Sequence, residues 1–399
     1  QAETLDQISQ DLANIRAAWE YAVEQHRHDW LLDAHQTLHL FFAKRSRYDE
    51  ALELFGETQR GVAQQEPTRS TSATKSREQL LCQLGSRHGY FLYTKGRFDE
   101  ACEALESCLA RCQETGFDSS AAFCHTSLGA LDLYKGDYES AEAHYEESLR
   151  LYREIEDSFG TAMALNNLGM LKQTRGDLLG AQALYEQRYE LGKETDDLWG
   201  MAYALTNLAS SASLNHDYKR AQKLLKECIA LRRAIRDRHG EAVAFASMGE
   251  TSSLMGDHAA AKGYFEQSER VYSEIGDSVG FITDRILYAR CLLRAYELGE
   301  AQEQLRFSLK SALEHELMPL VYESLAGWMI LLSQSDEPSL ALRIAAYLLQ
   351  QENVEAEVRH DAEELRDELI NAHKDLAKMA TSGDSLEAVL GEIEAWAQG

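Results

Sequence analysis

Five of the seven cysteines fall between Cys82 and Cys124, and there the side-chain chemistry of this chain is most concentrated. Cys108 and Cys112 are one helical turn apart, with Cys102, Cys124 and His125 nearby in sequence. Thiols so spaced could exchange a disulfide or hold a soft metal, but no CxxC pair marks a zinc site. A second reading is structural. Cys108 and Cys228 take a position that is Ser148, Ser268 and Ser308 elsewhere, and a buried free cysteine behaves as a small hydrophobe. We adopt that reading and expect the cysteines to pack.

Other chemistry finds little support. The sequence has no Gly-rich phosphate loop, no HExxH pair and no nucleophile elbow. Carboxylate pairs such as Glu146-Glu147 and Glu363-Glu364 suit solvated helical faces. His88 and His125 suit packed or capped roles in helices. The expectation is a chain that is not an enzyme and carries no cofactor and no metal. A formal net charge of −26 argues against direct nucleic-acid binding, which needs a concentrated basic face. The short cluster Arg232-Arg233, Arg236 and Arg238 reads as the solvated C-terminal end of a helix, where cations favour the dipole. No stretch approaches the roughly 18 apolar residues of a membrane span, and the amino terminus lacks a secretion signal, so a cytoplasmic protein is expected. Gln1 begins in helix-like sequence, which suggests a piece of a longer polypeptide.

The elements that position these residues are read from a repeat. Alanine recurs at Ala101, Ala141, Ala181, Ala221, Ala261, Ala301 and Ala341, a constant spacing of 40 residues. Self-similarity at a period of roughly 20 to 50 residues marks a solenoid, in which each unit packs only on its neighbours. Gly136, Gly176 and Gly256 keep the same beat, each followed by Asp, with His216 in the equivalent place. Gly160, Gly200, Gly240 and Gly280 form a second series, each preceded at three residues by Asp. With only 3 prolines, the composition is helical.

In one unit, Ala164, Leu165, Leu168 and Leu171 give a first helix from about Thr161 to Thr174. Gly176 ends it in the left-handed conformation and Asp177 caps a second helix that carries Ala181, Leu184, Tyr185 and Leu191. Small residues paired as Gly169/Ala181 and Gly129/Ala141 let the two helices approach closely. Tyr145, Tyr185 and Phe265 are expected to wedge against the next unit.

The pattern Leu165, Leu168, Gly169, Ala181, Tyr185 resembles the tetratricopeptide repeat in a 40-residue form, over about Ser76 to Ala345. Arg188 departs from it, standing where the repeat has a small residue. The resemblance implies an all-α, right-handed superhelical solenoid of antiparallel hairpins with helical caps at both ends. The expected domains are 1–62, an N-terminal helical module with a divergent first repeat; 63–77, a flexible Ser/Thr-rich loop; 78–345, the solenoid; and 346–399, capping helices. Leu5 to Phe55, through Asn14-Ile15-Arg16-Ala17-Ala18 and Arg47-Tyr48-Asp49-Glu50-Ala51, resembles the module after the nucleotide-binding and winged-helix domains of STAND signal-transduction ATPases. Those ATPases include bacterial transcriptional activators of LuxR-like and antibiotic-regulatory types. Arg343-Ile344-Ala345-Ala346, an acidic helix from Glu352 to Met379 and Ser385-Leu386-Glu387-Ala388 resemble their C-terminal cap, with Thr381-Ser382-Gly383-Asp384-Ser385 as a break.

In tetratricopeptide superhelices the first helices line a concave groove. The resemblance therefore places Tyr90, Tyr93, Phe123, Thr126, Met163, Asn166, Met170, Gln173, Tyr203, Thr206, Glu250 and Arg290 on a binding wall. Asn166-Asn167-Leu168-Gly169 is also similar to the first helices of kinesin light chain, where such residues hold extended peptides. Two functions are implied. One is the sensor region of a STAND ATPase or transcriptional activator, binding a protein, a peptide or a small-molecule inducer. The other is a free-standing adaptor that binds an extended peptide.

Overall fold

The computed structural model describes residues 2–45, 47–65, 71–335, 337–351, 354, 356–373, 376 and 384–398. Among them there are nineteen α-helices and no strand. The chain divides into two compact units, residues 1–200 and 201–399. The boundary falls inside a repeat helix, because the hairpins continue on both sides of it and the local sequence offers no linker.

Unit 1 holds α1 (Ala2–Glu24), α2 (His28–Lys44), α3 (Tyr48–Gln64), α4 (Thr71–Thr94), α5 (Phe98–Thr115), α6 (Asp118–Lys135), α7 (Tyr138–Glu154), α8 (Ser158–Thr174) and α9 (Leu178–Glu194), with the start of α10 (Leu198–Leu214). Its core has two parts, one around Trp19, Phe41, Phe42, Phe55 and Phe91 and one around Ala101, Leu105, Ala141, Tyr145 and Leu168. The loop expected over 63–77 is largely helix. Gln64 ends α3, residues 71–77 open α4, and residues 66–70 lie outside the described residues. Arg77 supplies the reason: its guanidinium donates to the Val62 and Ala63 carbonyls at 3.1 and 2.9 Å, capping α3 and fixing the start of α4.

Unit 2 holds α11 (Tyr218–Ala234), α12 (Arg238–Leu254), α13 (His258–Ile275), α14 (Ser278–Arg294), α15 (Leu298–Glu314), α16 (Met318–Gln334), α17 (Pro338–Gln350), α18 (Ala356–Ala372) and α19 (Leu386–Gln398). A core cluster runs through most of it, from Ala246 and Phe265 to Val389 and Ile393. Arg343 of α17 pairs with Asp384 at 2.7 Å and with Glu392, tying the last helix to the repeats. Ser385 caps α19, its hydroxyl accepting from the Ala388 amide at 3.3 Å, while Thr381-Ser382-Gly383 lie outside the described residues.

Each hairpin follows from a few residues. Gly176 is left-handed at φ 79°, and the Asp177 side chain accepts from the Gly180 amide at 2.9 Å. His216 and Tyr296 hold the same left-handed conformation, φ 59° and 58°, where Gly96, Gly136, Gly176 and Gly256 stand in the other described hairpin turns. Ala101, Ala141, Ala181, Ala221 and Ala301 have no exposed surface. The aromatic residue four places after the alanine packs over its own hairpin, and Phe265 also reaches the next one as expected, stacking on Tyr288 of α14 with ring centroids 4.7 Å apart. A Cβ built at Gly129 would lie 2.8 Å from the Tyr145 ring, one at Gly169 2.5 Å from Tyr185, and one at Gly249 2.8 Å from Phe265. The ring therefore fills the space over the glycine of its own hairpin. The following hairpin is also met by Tyr152 against Gly160 and by Tyr272 against Gly280. Arg232 stands in register with those tyrosines and is 4% exposed, so it is a packing residue and not the solvated helix end expected.

Candidate ligand-binding face

Successive first helices touch side by side within each unit: α4, α6 and α8 in unit 1, and α12, α14 and α16 in unit 2. The period of 40 then sets the residues of one helix beside their counterparts on the next, and the structure sorts the expected wall residues by what their side chains touch.

In unit 1, Tyr90 and Phe123 come together, with ring centroids 5.9 Å apart and the ring of His39 in α2 at 5.0 and 5.7 Å from them. Arg87 lies over Phe123, its guanidinium carbon 3.5 Å from the ring centroid. Asn166 and Met170 form a second pair one turn apart, amide to thioether at 3.4 Å, and Met170 is 47% exposed. Met163 and Gln173 are half-buried on the same helix.

Two expected residues of unit 1 serve packing. Thr126 is buried, bonded to Ser148 at 2.7 Å and to the Ala122 carbonyl at 3.0 Å. Tyr93 turns toward its own second helix, 5.9 Å from the Phe98 ring. The spacing argument missed this because a first helix offers only a narrow stripe to solvent, and one residue of rotation moves a side chain under the next hairpin.

In unit 2, Tyr203 is 52% exposed, with the Arg232 guanidinium 4.7 Å from its ring centroid. Thr206 repeats the arrangement of Thr126, bonding the Ala202 carbonyl at 3.0 Å and Cys228 at 3.4 Å. Glu250 is met by Arg294 at 3.4 Å. Arg290 is bound to Asp361 of α18 at 2.9 Å, so the cap helix itself reaches this part of the wall. A cavity of about 310 Å³ lies beside that ion pair, lined by Arg294, Ile330, Gln334 and Glu364 among others.

The electrostatics differ between the faces. Burial pushes the His35 imidazole down to about 4 and His39 to about 3, with the Arg87 charge adding to the effect. Both are neutral at pH 7, so Arg87 is the cation at that end of the wall. On the unit 2 wall the cations Arg290 and Arg294 already face carboxylates. Arg87 and the two histidines escaped the sequence reading. Arg87 had a signal, since its register position is Ser127, Asn167 and Ser247 elsewhere. The histidines sit in α2, outside the repeat register, and had none. Among the described residues no cluster of three or more His, Cys, Asp or Glu side chains is placed to hold a metal ion.

The tetratricopeptide-repeat family model matches residues 81–154, 126–194 and 200–274. Comparison with curated proteins gives no match. Among solved structures the chain is similar to aspartyl phosphate phosphatase F from Bacillus subtilis, at 13% identity over 94% of each chain with a TM-score of 0.56. It is also similar to the Rap conjugation gene regulator of plasmid pLS20 in complex with the Phr* peptide, at 11% identity over 94% of this chain and 98% of that one, TM-score 0.50. A STAND protein with a tetratricopeptide-repeat sensor from Pyrococcus horikoshii matches at 10% identity over 88% of this chain and 53% of its own, TM-score 0.48. At such identities the first two likenesses establish the fold alone. No described helix is long and apolar enough to cross a membrane.

Proposed function

Because residues 81–194 and 200–274 match the tetratricopeptide repeat, a protein-binding scaffold, we propose that this chain is a non-catalytic regulatory module that takes an extended peptide on the first-helix face of unit 1. The observation that carries this reading is the set of wall side chains in unit 1 that keep exposed surface. Half-buried Tyr90 and Asn166 and exposed Met170 offer aromatic, amide and thioether contacts, which suit a peptide backbone and its apolar side chains. The Rap regulator, similar over nearly its whole length, was solved with a peptide, which supports the same ligand class. Calorimetry against a library of extended peptides tests the proposal. Asn166→Ala and Met170→Ala should each weaken the tightest binder about tenfold, a loss near 1.4 kcal/mol. Unchanged affinity in both would remove the site from this face.

A second reading makes the module the sensor of a STAND-type ATPase or transcriptional activator in the cytoplasm. It rests on the two ends of the chain, where Asn14 to Ala18 and Arg343 to Ala346 resemble that architecture. In this reading a peptide or inducer would act by binding one arrangement of the parent protein better than another, shifting the population by that difference. The parent gene upstream of Gln1 decides it: a Walker motif and a winged helix are expected, and their absence would leave the adaptor.

A further inference from the structure

Four of the cysteines converge. Cys82 of α4, Cys108 and Cys112 of α5 and Cys124 of α6 are all buried and free, and Cys112 touches the other three thiols. Cys108 and Cys112 have their sulfurs 3.9 Å apart, and the Cys108 thiol donates to the Cys82 carbonyl at 3.2 Å. The repeat shows why they meet. Their positions are four fixed slots at the junction of successive hairpins, filled by Ala122, Ser148, Tyr152 and Ala164 in the next unit and by Ala202, Cys228, Arg232 and Ala244 further on. Packing alone is met there by alanine, serine and tyrosine, so four thiols in one junction exceed what the fold requires.

A second observation is electrostatic. Arg87 has Nε and Nη1 shielded from solvent with no hydrogen-bond partner among the described residues, and its charge acts on Cys108 and Cys124. Hydrogen bonds from Cys112 and then Cys124, with help from Arg111 and Arg87, hold the Cys108 thiol below its usual range. The same contact with Cys108 pushes Cys112 up. Of the two, Cys108 is therefore the thiol that gives up its proton more readily, as suits an attacking thiol beside a resolving one.

We propose that Cys108 and Cys112 are a modification site, a pair that hydrogen peroxide converts to a reversible disulfide with Cys108 as nucleophile and Cys112 as resolving thiol. The Cys108 thiolate attacks one peroxide oxygen, so an S–O bond forms and the O–O bond breaks. The hydroxide released takes up the proton that Cys108 gave up and leaves as water. Cys112 then attacks the sulfenic sulfur, an S–S bond forms and the S–O bond breaks, and this second hydroxide leaves as water with the Cys112 proton. Two thiols lose two electrons and the peroxide gains them. Residues four apart on a helix have Cβ atoms about 5–6 Å apart against the roughly 3.5–4.5 Å of a disulfide, so the bond forms as the last turn of α5 unwinds. Cys112 lies in the last turn of α5, where a helix opens most easily to a small oxidant. The inference is independent of the peptide-binding reading.

The chain carries its own control, Cys102, which is more exposed but has its thiol pushed up by burial and by Glu106. Limiting hydrogen peroxide on the full reduced chain, followed by alkylation and peptide mapping, should give a Cys108–Cys112 disulfide at least tenfold faster than any oxidation of Cys102. Dithiothreitol should reverse it. In Cys112→Ser the reaction should stop at a Cys108 sulfenic acid captured by a dione probe, while Cys82→Ser should leave the rate unchanged. Oxidation of Cys102 ahead of a still-reduced cluster, or a disulfide between Cys82 and Cys124, would overturn the proposal. Mapping of the native chain separates these outcomes even if a variant misfolds.

Discussion

Two junctions of unit 2 bury a charged side chain in the same framework and treat it in opposite ways. Arg232 fills the slot over Gly240 and pairs with Asp237, both side chains about 5% exposed, and Asp237 also accepts from the Gly240 amide at 3.0 Å. Asp284 fills a slot that is alanine in three other repeats, is 3% exposed, and neither carboxyl oxygen has a hydrogen-bond partner among the described residues. Its neighbours are spent elsewhere: Ser268 donates to the Ala242 carbonyl at 2.9 Å, and Arg285 pairs with Glu269 at 3.0 Å. Burial and then the Glu269 charge push the Asp284 carboxyl up to about 8, so it is mostly protonated at pH 7. The capping Asp that ends each connection is thus what lets this fold accept a buried cation. A buried acid one repeat further on finds no such partner and gives up its charge.

The largest effect should come from breaking the paired junction. Arg232→Ala leaves Asp237 buried with only backbone donors, and such a loss costs about 3–5 kcal/mol. Hydrogen exchange of α11 and α12 should accelerate well beyond that of α16. Equal protection in the variant would show that the pair contributes nothing.

Asp284→Ala should do the reverse. The folded carboxyl titrates near 8 against about 4 unfolded, so ionisation opposes folding. Below pH 4 both states are protonated and no penalty exists; it grows between pH 4 and 8 and is constant above. Four pH units correspond to at most about 5 kcal/mol, and relaxation around the site should leave a gain of about 2 kcal/mol in the variant at pH 8 and almost none at pH 4. Urea midpoints across that range measure it, and a gain independent of pH would refute the buried-acid account.

The repeat was legible because its determinants are local. A glycine that must be left-handed, an Asp that caps and an alanine at a crossing each announce themselves in sequence, and the helix ends at Thr174 and Glu194 lie within a residue of those expected. The wall was only half legible. Tyr90, Phe123, Asn166, Met170 and Tyr203 lie where the register puts them, but Thr126 and Thr206 bond carbonyls of their own helix and second-helix side chains, a choice set by helix rotation. Arg290 is occupied by Asp361, a contact across 71 residues that no repeat pattern encodes. Arg188 looked like a defect of the repeat, and its explanation lies in a partner position four residues on.

That explanation yields a finer test of the same comparison. Where Cys228 and Arg232 stand in one repeat, Arg188 and Gly192 stand in the one before it, so the large cation and the small residue have exchanged slots. Arg188 nevertheless delivers its guanidinium to the equivalent capping acid, Asp197, at 2.9 Å, and a Cβ at Gly200 would run into it. The guanidinium is the fixed feature and its point of attachment is free, provided the other slot stays small. Arg188→Cys alone should destabilise by losing the ion pair, and Gly192→Arg alone by overpacking against Arg188, each by about 1–3 kcal/mol. Together they rebuild the arrangement of Cys228 and Arg232, and the double variant should recover about 1 kcal/mol or more relative to the sum, the coupling expected of side chains in contact. Strict additivity in urea unfolding would mean that the two slots do not share one cation site, and that the likeness between these junctions stops at sequence.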